Sequence, residues 1–250
     1  MLGYYVQDFE PHWFATGSRE YREAVDSYTL LPGLRRCCKT EWNRHEVYDH
    51  TGAECQVVGP SVEMDLFRPR RERPGGRIVV AGMVRPYSSY PSPEMTMRVL
   101  SRIKSAYPDE VEVVTFGVDE LDPSFQALRP PVPFHHLGKL GSPELATVFD
   151  QVDIFVDFST YQAMGLTAME AMSCGTAIIV PEAGGAVEFA RHEHNALVVD
   201  TRDEKQCQSA LERLVRDEPP RHRLAQKALA DIQSFHPEGA ALRMLSALFD

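Results

Sequence analysis

Between residues 35 and 200, short apolar runs alternate with helix-patterned segments, and this most limits what the chain can fold into. "GRIVVAGMV" at 76–84, "VEVVTFG" at 111–117, "VPFHHLG" at 132–138, "DIFVDFS" at 153–159, "TAIIVP" at 176–181 and "ALVVD" at 196–200 each read as a buried strand. Glu94–Ala106 reads as a helix with Met95, Val99, Ile103 and Ala106 on one face. Ser142 is placed to cap a helix through "PELATVFD", with Pro143 at its first position. Upstream, "RRCCKT" and "CQVVGPSV" read as strands flanking a helix from Trp42 to Thr51, and Ser18 is placed to cap a helix to Ser27. Two or three helices follow from Glu204. Strand–helix alternation implies an α/β fold: a parallel sheet with helices on both faces. Ligands of such sheets sit beyond the carboxyl ends of the strands, so the loops after Val84, Phe116, Leu137, Phe158 and Val180 are the places to search. The proline-rich turn "VRPYSSYPSPE" is one of them.

Composition narrows the partners. The net charge of −10 argues against nucleic acid, whose backbone needs clustered Lys and Arg. The five cysteines, Cys37, Cys38, Cys55, Cys174 and Cys207, include no C-x-x-C pair, and no His cluster has zinc-ligand spacing, so reduced thiols, no metal and a cytoplasmic setting are expected. No apolar run approaches the ~18 residues of a membrane span, while peripheral membrane association stays open.

The stretch "DFSTYQAMGLTAMEAMSCGTAIIVPEAGGAVEF", residues 157–189, carries the chemistry. Gly165 stands where a helix begins and Gly175 where it stops. A helix start offers free N–H groups and partial positive charge, which suits a phosphate. Glu170 lies among small apolar residues, poised to accept hydrogen bonds from a ribose. Gly184 and Gly185 form a second glycine turn after the next strand. A lone glycine pair is weak evidence, but two such turns on neighbouring strand ends, with one buried carboxylate, favour a ligand site.

The blocks "MGLTAMEAMSCG", "AIIVPEAGGAVEF" and "HNALVVD" resemble the donor-binding motif of the GT-B glycosyltransferases of family four, the glycosyl transferases group 1. "GPSVEMDLFRP", "VVAGMVRP" and "LGKLGSPELATVFDQVDIFVDFS" resemble that family's preceding blocks, over roughly residues 33–235. The resemblance implies a Rossmann-like, carboxy-terminal GT-B half-domain at 33–250, which binds a nucleotide-diphosphate sugar as donor substrate and transfers the sugar with retention to a glycan or lipid-linked acceptor. It implies no other cofactor. By the same resemblance Glu170 holds the ribose, Gly165, Leu166 and Thr167 lie at the helix start beneath the diphosphate, Gly82 belongs to the donor-binding loop after the first strand, and Lys139 and Leu140 lie where the base rests. Arg85 neutralises the leaving diphosphate, Gly184 and Gly185 join the donor-binding set in a turn suited to an anion or a sugar, and the catalytic set is Gln162, Glu170 and Arg85.

Two positions depart from the family pattern. Gln162 stands where the first Glu of a paired motif is usual, and Arg85 lacks a second basic partner nearby. The opening segment 1–32 resembles the interdomain segment of bacterial polysaccharide rhamnosyltransferases, which implies an acceptor-binding domain or subunit supplied elsewhere. Asp8, Glu10 and His12 are then expected at a domain junction, Cys37 and Cys38 in structural roles, and His192 and His194 on a surface turn. A nucleotide-sugar-binding or scaffolding module without turnover is the alternative, and a related epimerase fits less well.

Overall fold

The computed structural model describes residues 2–70, 75–87 and 92–249, so residues 88–91 of the proline-rich turn lie outside the described residues. The nine strands among the described residues are β1 (Gly3–Val6), β2 (Arg35–Cys38), β3 (Gln56–Val57), β4 (Ile78–Met83), β5 (Val111–Phe116), β6 (His135–His136), β7 (Ile154–Val156), β8 (Ala177–Pro181) and β9 (Leu197–Val199). The α-helices are α1 (Arg19–Ser27), α2 (Glu41–Thr51), α3 (Pro93–Ala106), α4 (Pro123–Leu128), α5 (Ser142–Phe149), α6 (Leu166–Ser173), α7 (Glu204–Arg216), α8 (Glu218–Asp231) and α9 (Pro237–Phe249).

The larger sheet has six strands in the order β6-β5-β4-β7-β8-β9. Every neighbouring pair is parallel. The chain winds outward from β4 to β6, then returns to the middle and winds the other way from β7 to β9. The reversal falls between β4 and β7, and the loops leaving these two strands therefore diverge and open a crevice. Alternate residues of β7 face opposite layers. Phe155 packs with Phe149, Met169 and Met172 on one side. Ile154 and Val156 pack with Val99, Ile103 and Leu211 on the other. Burial on both faces explains why these strands read as continuous apolar runs.

Segments expected to be strands shrink where pairing runs out. "CQVVGPSV" keeps only Gln56–Val57 and "VPFHHLG" only His135–His136, because both are edge strands with one neighbour. Ser18 does cap α1, its Oγ accepting from the Tyr21 N–H at 3.0 Å. Ser142 does not cap α5: Gly141 holds the cap position and Ser142 is the first helical residue.

The smaller sheet, β1-β2-β3, is also parallel. Val6, Phe9, Tyr28 and Val47 fill one of its faces. The last helix, α9, returns to cover the other, with Ala247 against Cys37 and Val58. A division of the chain at 32/33 would therefore separate β1 from its partner β2. Local sequence carries no trace of that pairing, which spans some thirty residues of intervening chain.

The two sheets meet through Thr40. Its hydroxyl caps α2, accepting from Asn43 N–H at 3.2 Å, and donates to the Ala163 carbonyl at 2.9 Å in the loop after β7. Thr40 is fully buried, so no water replaces a lost bond. Thr40→Val keeps the shape and removes both bonds. It is expected to cost about 1–3 kcal/mol in urea unfolding. A cost below the scatter of surface substitutions would show that this junction is not held by the hydroxyl.

Candidate donor site

A cavity of about 360 Å³ opens at the carboxyl ends of β4 and β5, lined by Met83, Arg85, Phe116, Gly117, Lys139, Leu140, Ser142, Leu145, Leu166, Thr167 and Glu170. A larger groove of about 1030 Å³ lies at the opposite end, beside Gly76, Asp153, Gly175 and Glu218. Size alone would favour the groove. It lies at the amino ends of the strands, away from the switch point and from both glycine turns, so we assign the site to the smaller cavity.

Each side chain arrives there for a local reason. β4 ends at Met83 and the chain turns out at Val84, which leaves Arg85 exposed at the rim. Among the described residues its guanidinium makes no hydrogen bond or ion pair, so it is free to meet an anion. Gly117 has φ +116, and a Cβ there would lie 2.8 Å from the Val84 carbonyl. Only glycine lets the loop after β5 pass this close to Arg85.

Gly165 opens α6 in the left-handed region, at φ +83 and ψ 44, with no side chain capping the helix. The first-turn N–H groups of Leu166 and Thr167 therefore lack an internal acceptor at the cavity floor. One turn further, Glu170 is 8 % exposed. Burial pushes its carboxyl up to about 7, and the charge of Arg85 across the cavity pulls it back part of the way. A buried carboxylate and an unpaired guanidinium across one cavity mark a ligand site more strongly than either does alone.

Gln162, in the loop between β7 and α6, is held by a network that sequence reading missed. Its Nε2 donates to Ser159 Oγ at 2.9 Å, and Ser159 in turn bonds the buried Asp157. Burial raises the Asp157 carboxyl, while bonds from Ser159 and Gln162 and the charge of Arg85 act against the rise. Asp157 was not singled out because an Asp following an apolar strand reads as a solvated strand end.

The glycine pair serves the backbone. Gln162 and Gly184 form a parallel bridge, and Gly185 N–H donates to the Gln162 carbonyl at 2.7 Å. The two turns are thereby stitched together beyond the ends of β7 and β8. Gly184 and Gly185 do not line the cavity, and they feed a single 3-10 turn, Gly185–Glu188, rather than an α-helix. Gly82 does not line it either. A Cβ there would meet Leu100 at 3.1 Å and Val156 at 3.3 Å, so Gly82 is small to let α3 approach β4. The structure thus gathers Arg85, Lys139, Leu140, Leu166, Thr167 and Glu170 on one cavity, with Gly165 at the head of α6, while Gln162 does not line it.

The remaining candidates have structural surroundings. Asp8 accepts from Phe9 N–H at 2.8 Å and from the Trp13 indole at 3.3 Å, and Glu10 bonds the Tyr28 hydroxyl. His194 pairs with Asp231 at 3.0 Å, and His192 Nδ1 accepts from Val198 N–H at 3.1 Å. All five cysteines are buried and none forms a disulfide. Burial raises the Cys37 thiol; Cys38 is raised first by its hydrogen bond to Cys55 and then by burial, so neither is a ready nucleophile. His12 instead joins Glu46 and His50, residues distant in sequence.

A six-stranded parallel sheet with helices on both faces and a cavity at its switch point defines a Rossmann-like class of protein. The family model of the glycosyl transferases group 1 matches residues 76–231, and the chain belongs to that family. It is 28% identical over 220 residues to a D-inositol 3-phosphate glycosyltransferase of Stackebrandtia nassauensis, covering 78% of this chain and 48% of that protein. It is 26% identical to the O-antigen biosynthesis protein RfbC of Myxococcus xanthus, covering 80% of this chain and 15% of that one. The chain spans about half or less of the length of these curated relatives. Among solved structures, the sucrose-phosphate synthase of Thermosynechococcus elongatus superposes with a TM-score of 0.80 at 18% identity, covering 98% of this chain and 66% of that one. HepE of Anabaena, solved with UDP and glucose, gives 0.80 at 17%, covering 99% and 71%. Both likenesses show the GT-B glycosyltransferase fold. No helix among the described residues is long and apolar enough to cross a membrane.

Proposed function

We propose that this chain is the donor-binding part of a glycosyltransferase that takes a sugar from a nucleotide-diphosphate sugar and passes it to a glycan or lipid-linked acceptor. The observation that carries the reading is buried Glu170 facing unpaired Arg85 over the uncapped start of α6. In this reading Glu170 accepts hydrogen bonds from the ribose hydroxyls, and Lys139 and Leu140 flank the base. Arg85 and the α6 N–H groups take up the charge that grows on the diphosphate as the glycosidic bond breaks. The α6 N–H groups are fixed before the reaction and Arg85 adds a full positive charge, so together they can serve the leaving group in place of a divalent metal. Gln162, positioned through Ser159 and Asp157, hydrogen-bonds the sugar near the reacting carbon, and transfer proceeds with retention.

The acceptor belongs on the side of the smaller sheet. β1 is an edge strand with Leu2 and Tyr5 exposed, and α9 exposes Leu242, Leu245 and Phe249 beside it. Such a stripe suits burial under further structure, consistent with an acceptor-binding part beyond these residues. Gln162 favours a second reading, a nucleotide-sugar-binding module without turnover, because an amide brings no charge to the reacting carbon. Transfer from a radiolabelled donor to cell-derived acceptors separates the two.

Calorimetric titration with UDP, GDP and dTDP in metal-free buffer tests the site. Saturable binding of one of them is expected, and HepE's complex with UDP makes UDP the first choice. Arg85→Ala is expected to weaken that binding about tenfold or more, since a charge-assisted bond contributes about 1.5–3 kcal/mol. No binding of any nucleotide would overturn the site.

A further inference from the structure

We propose that His12, Glu46 and His50 form a binding site for a divalent transition-metal ion of the zinc type, apart from the donor cavity. Glu46 and His50 are one helical turn apart on α2, and His12 comes from the 3-10 turn Glu10–Trp13. His12 Nε2 lies 3.6 Å from Glu46 Oε2, and His50 Nδ1 lies 3.7 Å from the same oxygen. The ligand atoms of all three lie within 4.8 Å of one another. Bonds of about 2.0–2.2 Å to a tetrahedral zinc set ligand atoms roughly 3.4 Å apart, so small side-chain movements close the site.

The chemistry fits this class of ion. Two neutral imidazoles and one carboxylate form a borderline nitrogen–oxygen set, which suits zinc rather than magnesium. They leave at least one coordination position for water or another ligand. The rings are already held. Phe9 packs edge-on to His12 at 4.8 Å and against His50 at 4.7 Å. His12 Nδ1 is buried without a hydrogen-bond partner among the described residues, so Nε2, turned to Glu46, is the nitrogen available to a cation. His50 Nδ1 also lies 2.9 Å from the Glu46 carbonyl, and in the tautomer that leaves Nδ1 unprotonated its lone pair faces the same side as Glu46 Oε2.

The ion would pin the 3-10 turn to α2 and fix one wall between the sheets. His12 packs edge-on to Tyr161 at 5.9 Å, and Tyr161 precedes Gln162. Metal in this position sets the smaller sheet's side of the crevice and leaves the donor's phosphates to Arg85 and α6.

The competing account is a metal-free ion pair between Glu46 and protonated imidazoles. Titration of the chelator-treated chain with Zn²⁺ and with Co²⁺ decides between them. One Zn²⁺ per chain is expected, with visible Co²⁺ bands and no thiolate charge-transfer band. His50→Gln, at an exposed position that tolerates change, is expected to weaken Zn²⁺ binding at least tenfold, and Glu46→Gln likewise. Zn²⁺ is expected to raise the melting temperature of the wild type and to leave that of His50→Gln unchanged. No saturable Zn²⁺ binding, or equal binding by wild type and both variants, would overturn the site.

Discussion

Glu170→Gln is expected to melt at a higher temperature than the wild type at pH 8, while binding the nucleotide sugar more weakly. The folded carboxyl sits at about 7 against an ordinary 4.5, because burial disfavours its charge. Between those two values the folded chain holds a proton that the unfolded chain has released. Stability therefore falls as pH rises through this window, and the penalty is complete above about pH 7. A shift of this size corresponds to at most about 3 kcal/mol. Gln removes the penalty, so the variant's advantage is expected to be several degrees at pH 8 and to vanish only well below pH 4.5, where the wild-type carboxyl is protonated in both states. The functional effect runs the other way. The ribose hydroxyls donate to an ionised acceptor, and its loss is expected to weaken donor affinity about 10- to 100-fold at pH 8. Wild-type affinity is expected to drop about tenfold from pH 8 to pH 6, as protonation competes with binding, while the variant's stays flat. The donor sugar serves as probe because its diphosphate does not titrate here. A melting-temperature difference independent of pH would remove Glu170 from this role.

Gly184→Ala is expected to be the most destabilising single-methyl change in the site. At φ +96 and ψ −161 the residue occupies a region open to glycine alone. The added Cβ would lie 2.1 Å from the Gln162 carbonyl oxygen and 2.7 Å from its nitrogen. Those neighbours are backbone and cannot swing aside as a side chain would. The bridge between the two turns must open, and Gln162 moves with it. A cost above about 3 kcal/mol is expected in urea unfolding, together with loss of donor affinity. Gly33→Ala supplies the control. Its φ is also positive, at +73, but nothing stands within 4 Å of the new methyl, so the left-handed strain of about 1 kcal/mol acts alone. Equal costs at the two positions would mean that the turn after β8 is free to rearrange.

The two substitutions test different kinds of information. Glu170 was legible from the chain because a lone carboxylate in "LTAMEAMSCG" has no polar face to occupy. Its burial followed from its neighbours in the helix. Gly184 was legible only as a glycine. The sequence suggested a helix start suited to an anion or a sugar, whereas the backbone of Gln162, pressed against it from another loop, is what excludes a side chain. Gly82 was expected among the donor-binding residues, and its surroundings are those of a packing residue beneath α3. Asp157, which anchors Gln162 through Ser159, gave no local signal.

What the sequence alone determined is the alternation of strands and helices, the parallel sheet, the glycine turn that opens α6 and the family resemblance. These rest on periodicity, on turn residues and on motifs contained in short windows of chain. The tertiary structure decided the rest. It paired β1 with β2 across a helix and a loop, and it brought α9 back from the end of the chain to cover them. It set Glu170 opposite Arg85, and it gathered His12 with Glu46 and His50. Each of these juxtapositions joins residues far apart in the sequence. Their proximity comes from the packing of whole elements, which no local window of residues encodes.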